Sequence, residues 1–302
     1  MVWMPLPRHW SRGKGCAALR LPFSAKKAQR SPLFHLGLRA KVPRVIPYRD
    51  ENSTERTSVI TIAIIGLNVL VWLLVQGAGA TRVAPDGTVS GLAASVCNLG
   101  LIPGELMLRV QPGTGFQMGD GLVCAMDAGR QWTHVFTSMF LHGSWLHIIF
   151  NMWFLWIFGN NVEDSMGRVR FVAFYLLSGL GAAAAQVLSD PSSAVPMVGA
   201  SGAISGVMGA YVVLYPKVRV FTLVPIGFFI TTIALPAWAM LGFWILLQVL
   251  GGLGGGEGGV ATWAHVGGFL VGAATIRLFA RRDYLERRRA NLWAPQRLGW
   301  NR

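Results

Sequence analysis

Six stretches of the chain run almost free of charged side chains, at 57–76, 141–158, 171–188, 201–215, 235–250 and 260–280. An α-helix needs about 20 mostly apolar residues to cross a hydrocarbon layer about 30 Å thick. The pattern therefore predicts an all-α, polytopic membrane protein with six transmembrane helices. The fifth span is set by proline. Residues 221–250 are nearly continuously apolar, but Pro225 and Pro236 interrupt them. Proline is tolerated best at a helix start, so that helix is expected to begin near Pro236. The fourth span is short: 15 residues before Pro216, Lys217 and Arg219 rise only about 22 Å. Its first residue, Ser201, should begin about 8 Å below the outer edge of the hydrocarbon layer.

Composition supports a bilayer as solvent. Charged residues make up 13% of the chain, about half the share of a soluble domain, which excludes an ordinary soluble or disordered protein. The net charge of +14 raises the question of nucleic acid, and its distribution answers it. Residues 57–280 hold eight basic and eight acidic side chains, whereas residues 1–49 hold eleven Lys or Arg and no acid. Basic tails beside apolar spans fit anionic lipid, and no aromatic-interleaved basic domain suggests nucleic-acid binding. With six spans, 24 basic residues fall on the side of the two tails and three on the other. The positive-inside rule then puts both termini in the cytoplasm. The expected organisation is a basic N-terminal tail (1–56), a six-span domain (57–280) and a basic C-terminal tail (281–302). Residues 1–49 read as a solvated cytosolic tail, because they lack an apolar cleavable core, and the bacterial inner membrane is preferred to an organelle. A transit peptide is the alternative for that segment, and the run from Ile46 to Asn52 also reads like a natural chain opening.

Polar groups inside apolar spans are costly enough to suggest function. His134, His142 and His147 precede or enter the second span, and His265 lies in the sixth. Ala264, Gly268 and Gly272 give the sixth span a flat face, and Gly202, Gly206 and Gly209 strip the fourth in the same way. Close approach of these faces would bring Ser201 within hydrogen-bond reach of His265. A serine hydroxyl becomes a nucleophile when a base takes its proton, and imidazole suits that role near pH 7. His147 and Asn151, one turn apart on the second span, share a face. With the Ser201 N–H they could stabilise an oxyanion, at about 3 to 4 kcal/mol per donor. The spans offer no acid near this site, so the set reads as a Ser/His dyad. The glycine-rich run 251–259 could serve as a lid. Cys97 and Cys124 share the long loop 77–140, whose length permits a disulfide without establishing one. His142 reads as a structural residue at a loop-helix junction, and Trp153, Trp156, Trp238 and Trp244 as lipid-facing or interfacial aromatics. The ligand types and spacing of a metal site are missing; no metal and no cofactor are expected.

Gly199-Ala200-Ser201-Gly202 opening a short span, His142, His147 and Asn151 around an earlier one, and Ala264-His265 with Gly268 and Gly272 in the last together resemble the rhomboid family of intramembrane serine proteases, over about residues 57–280. The resemblance implies a rhomboid-like bundle with Ser201 as nucleophile, His265 as its base, and His147 and Asn151 assisting the oxyanion. It implies an endopeptidase acting on single-span membrane proteins within or near the bilayer, with transmembrane substrates and lipid as its partners. The rival reading is a non-proteolytic rhomboid-like protein that binds client helices. Two positions depart from the family's pattern. His134 stands where Arg or Thr is frequent, which bears on how the long loop is anchored. Ser205 stands where some members stack an aromatic on the histidine, so packing or another contact must orient His265.

Overall fold

The computed structural model describes residues 4–5, 15–18, 46–111, 114–119, 121–126, 129–226, 229–254 and 260–286. Its elements run β1 (Met4–Pro5), β2 (Gly15–Ala18), β3 (Ile46–Asp50), α1 (Val59–Leu70), β4 (Thr81–Val83), β5 (Val89–Gly91), α2 (Leu92–Leu99), α3 (Pro103–Leu106), β6 (Thr114–Gly119), β7 (Leu122–Ala125), α4 (His134–Thr137), α5 (Trp145–Met166), α6 (Arg168–Ser189), α7 (Ser201–Leu214), β8 (Arg219–Ile226), β9 (Phe229–Pro236), α8 (Ala237–Leu253) and α9 (Thr262–Phe279). A helix stands at each of the six apolar stretches. By length and apolar composition α6 is sufficient to cross a bilayer, while Val59–Val75, α7 and α8 are shorter apolar helices.

The centre of the bundle is α7, buried continuously from Gly202 to Tyr211. It lies against α6 and α9 because small residues let backbones meet. A Cβ on Gly268 would overlap the Gly202 carbonyl, one on Gly272 the Gly206 carbonyl, and one on Gly209 the Phe269 carbonyl. The small-residue faces expected from the sequence are thus the seam between α7 and α9. Around it Phe158, Phe171, Phe174, Tyr175 and Tyr211 fill the core.

At the end of the bundle away from Ser201, α5 continues to Met166, eight residues beyond the apolar stretch that ends at 158. Burial of two carboxylates explains the extension. Glu163 accepts from Ile60 N–H (3.0 Å), Thr61 N–H (2.7 Å) and the Thr61 hydroxyl (2.8 Å). It thereby satisfies donors that the first turn of α1 would otherwise leave unpaired. Asp164 accepts from Glu55 N–H and the Tyr284 hydroxyl. Gly167, at φ 84°, then reverses the chain directly into α6. A second difference is at 219–236, where β3, β8 and β9 form an antiparallel sheet. In β8 the β-branched Val220, Thr222 and Val224 stand at alternate positions, and Pro236 caps α8 in extended conformation, so that helix begins at Ala237 as expected.

The loop 77–140 is a small folded unit at the Ser201 end. Cys97 and Cys124 form a disulfide with Cα atoms 5.5 Å apart, packed with Ile102, Val110 and Met126. The loop is fastened to the bundle by paired backbone bonds between Leu101 and Met197 (3.0 and 2.7 Å), and braced internally by Thr137 Oγ1 donating to the Leu99 carbonyl. One expectation needs correction here. β1 pairs with β6 and β2 with β7, so these parts of the N-terminal segment lie with the 77–140 loop and not as a separate tail on the opposite side. The loop hairpin offers unpaired backbone edges, and the uncharged run Gly15–Ala18 can fill one.

Candidate active site

The helix α7 opens at Ser201 because the preceding Gly199 takes φ 134°, a conformation that L side chains rarely adopt, and its N–H is held by the Ser138 carbonyl at 2.9 Å. Ser201 is thereby fixed in the first turn, where free N–H groups and the positive end of the helix dipole favour negative charge. Three residues before Gly268, His265 projects from α9 across the glycine seam. Its Nε2 lies 2.8 Å from Ser201 Oγ, within the reach that the two stripped faces implied.

His147 is placed by its own helix start. Ser144 caps α5, its hydroxyl accepting from His147 N–H. The Gly143 N–H donates to His147 Nδ1 at 3.3 Å, which leaves the ring proton on Nε2. That nitrogen faces the serine: a Cβ built on Gly199 would stand 2.9 Å from His147 Nε2 and 3.4 Å from Ser201 Oγ. One turn on, Asn151 is buried, and its side-chain nitrogen has no hydrogen-bond partner among the described residues. Ser201, His265, His147 and Asn151 all line one cavity of about 570 Å³. Its walls are otherwise mostly apolar, with Leu146, Phe150, Phe154, Ile204, Met208 and Trp244 among them. Hydroxyl, base and spare donors thus converge at an apolar cleft wide enough for a peptide segment.

The structure supplies what the sequence left open at His265. Ser205 turns back to donate to the Ser201 carbonyl, and the orienting contacts come from α8. Gln248 Oε1 lies 2.8 Å from His265 Nδ1, and the Trp244 ring sits 5.7 Å from the imidazole, centroid to centroid. Trp244 was expected to face lipid and instead lines the cleft; Trp153, Trp156 and Trp238 are exposed. Gln248 was not foreseen, although it is the one amide in an otherwise apolar helix, the signal that had singled out the histidines. His142 is fully buried, its ring edge-on to His147 at 5.1 Å. Its main chain is clasped at both N–H and C=O by the Gln76 amide, each bond 2.8 Å. His134 is buried at the start of α4, and the loop is anchored by the contacts described above. Most of the glycine-rich run suggested as a lid, 255–259, lies outside the described residues.

A serine–imidazole pair and unspent donors thus meet at the mouth of an apolar cleft within a helical bundle. The chain belongs to the rhomboid family: the family model for the Rhomboid domain matches residues 129–282, which include all four site residues, and rhomboid-family proteins are membrane proteins. Among curated relatives, it is 36% identical over 85 residues to RHOMBOID-like protein 5 of Arabidopsis thaliana, covering 28% of this chain and 27% of that one. It is 33% identical over 159 residues to Rhomboid protease GluP of Bacillus subtilis, covering 52% and 30%. It is 29% identical over 155 residues to Rhomboid protease AarA of Providencia stuartii, covering 47% and 54%. The chain matches about a quarter to a half of the length of these relatives.

Proposed function

We propose that this chain is an intramembrane serine endopeptidase that cleaves single-span membrane proteins within or near the bilayer. The observation that carries the reading is the 2.8 Å contact between Ser201 Oγ and His265 Nε2 inside a cleft that also presents His147 and Asn151. Relatives named as proteases support it. In this mechanism His265 Nε2 takes the Ser201 proton as Oγ attacks the scissile carbonyl carbon. The oxyanion receives hydrogen bonds from His147 Nε2–H, the Asn151 amide and the Ser201 N–H. His265 then passes its proton to the departing amine, and water attacks the acyl-enzyme by the same route in reverse. A substrate helix must unwind locally to expose its peptide bond, so small or helix-breaking residues near the cleavage point are expected.

The six apolar helices are proposed to cross the membrane, with the end that holds residues 46–56 and 281–286 in the cytosol and the Ser201 end facing outward. Two independent features support that orientation: the basic residues gathered at the inner end, among them Arg56, Arg168, Arg170, Arg219 and Arg281, and a disulfide in the loop at the Ser201 end, which belongs in an oxidising compartment such as the periplasm. The Ser201→Ala and His265→Ala variants are each expected to abolish cleavage of a model transmembrane substrate in detergent. Turnover retained by either would refute the dyad. Fluorophosphonate labelling separates this reading from a client-binding rhomboid-like protein, for which the folded wild type would stay unlabelled.

A further inference from the structure

An amide in an apolar helix is costly unless it finds a partner, and Gln248 is the single amide, hydroxyl or charged side chain in α8. Its partner is the catalytic base. The Gln248 Oε1 atom can only accept a hydrogen bond, and it lies 2.8 Å from His265 Nδ1. The ring proton therefore sits on Nδ1, and the Nε2 lone pair is left for the Ser201 hydroxyl. In the other tautomer, Nε2–H would point at the hydroxyl and a lone pair would face the amide oxygen, so neither contact could support proton transfer. Trp244, four residues earlier on the same face of α8, lies against the same ring.

Resting on the serine-hydrolase reading above, we propose that Gln248 is the positioning residue of this centre. Its amide oxygen selects the His265 tautomer that accepts the Ser201 proton, and it stays hydrogen-bonded to Nδ1–H while the imidazolium exists. The dyad thus has a third, neutral member, contributed by α8. That helix is secured at its start, where Ala237, Met240 and Leu241 are buried, whereas Leu246, Leu250 and Leu253 near its other end are exposed. The Gln248 bond is made in the exposed half. An outward displacement of that half would uncouple the base without moving Ser201 or α9.

The test uses the full chain in detergent with a fluorogenic transmembrane substrate, and compares Gln248→Met, which keeps shape and loses the acceptor, with Gln248→Glu, which keeps an acceptor. Gln248→Met should lower kcat about tenfold or more, leave KM and Tm near wild type, and slow fluorophosphonate labelling of Ser201 by a similar factor. Gln248→Glu should recover most of the rate. Two results would overturn the assignment: a Gln248→Met variant with wild-type kcat per folded molecule, or one changed only in KM or only in Tm. The same is true of a Gln248→Glu variant no faster than Gln248→Met. A folded wild type that neither cleaves nor labels would instead remove the hydrolase reading itself, so the two failures are distinct.

Discussion

Gly199→Ala tests whether the oxyanion donors are set by the backbone before Ser201. The new methyl would stand 2.9 Å from both Cε1 and Nε2 of His147, closer than such contacts occur, at a residue whose φ of 134° already disfavours any side chain. The strained backbone costs about 1–3 kcal/mol. The clash moves the His147 ring away from the serine, and a mispositioned oxyanion donor costs roughly 100- to 1000-fold in kcat. Because that donor acts only in the transition state, kcat and kcat/KM should fall together, with KM little changed. A double-mutant cycle isolates the cause. In a His147→Ala background the clash has no partner, so adding Gly199→Ala should lower kcat by far less than it does alone, while the drop in Tm persists. Initial rates and fluorophosphonate labelling rates on the four proteins measure this. If the two substitutions multiply as independent effects, the assignment of Gly199 to His147 placement is wrong.

The glycine seam gives a sharp contrast between two substitutions of the same type. Gly272→Ala places a Cβ against the Gly206 backbone and should prevent recovery of folded protein or lower Tm severely, whereas Gly66→Ala, with nothing within 4 Å, should raise helix stability by up to about 1 kcal/mol. Thermal unfolding in detergent checks both, and equal effects would refute backbone-to-backbone packing. Glu163→Ala leaves the Ile60 and Thr61 donors unpaired. A loss of about 2–4 kcal/mol is expected, seen as a lowered Tm with kcat per folded molecule unchanged; an unaltered Tm would show that water serves these donors instead.

Apolar length and proline position made the helices legible in the sequence, because a long apolar run with one proline at its start has few other solutions. The pairing of Ser201 with His265 was legible for the same kind of reason: two faces without bulk can approach, and each carried one reactive group. Other features were hidden by the same signals. Glu163 and Asp164 fall just beyond the apolar stretch that ends at 158, and nothing local reveals that a distant helix start needs their oxygens as acceptors. The strands β8 and β9 merged with α8 into one apolar run, in which hydropathy outweighed the β-branched alternation of Val220, Thr222 and Val224. Gln248 carried the same desolvation signal as Asn151, but nothing in the sequence places α8 against the His265 ring.

Main chain meets main chain where α7 crosses α9, so no rotamer stands between the two helices that carry the reacting atoms. The distance from nucleophile to base is therefore insulated from the lipid-facing surface. Thinning or thickening of the surrounding bilayer can tilt the peripheral helices while this spacing holds. What such tilting can reach is the attachment of α8, so on the proposed reading turnover is expected to respond to membrane composition even though the spacing of the pair itself is rigid.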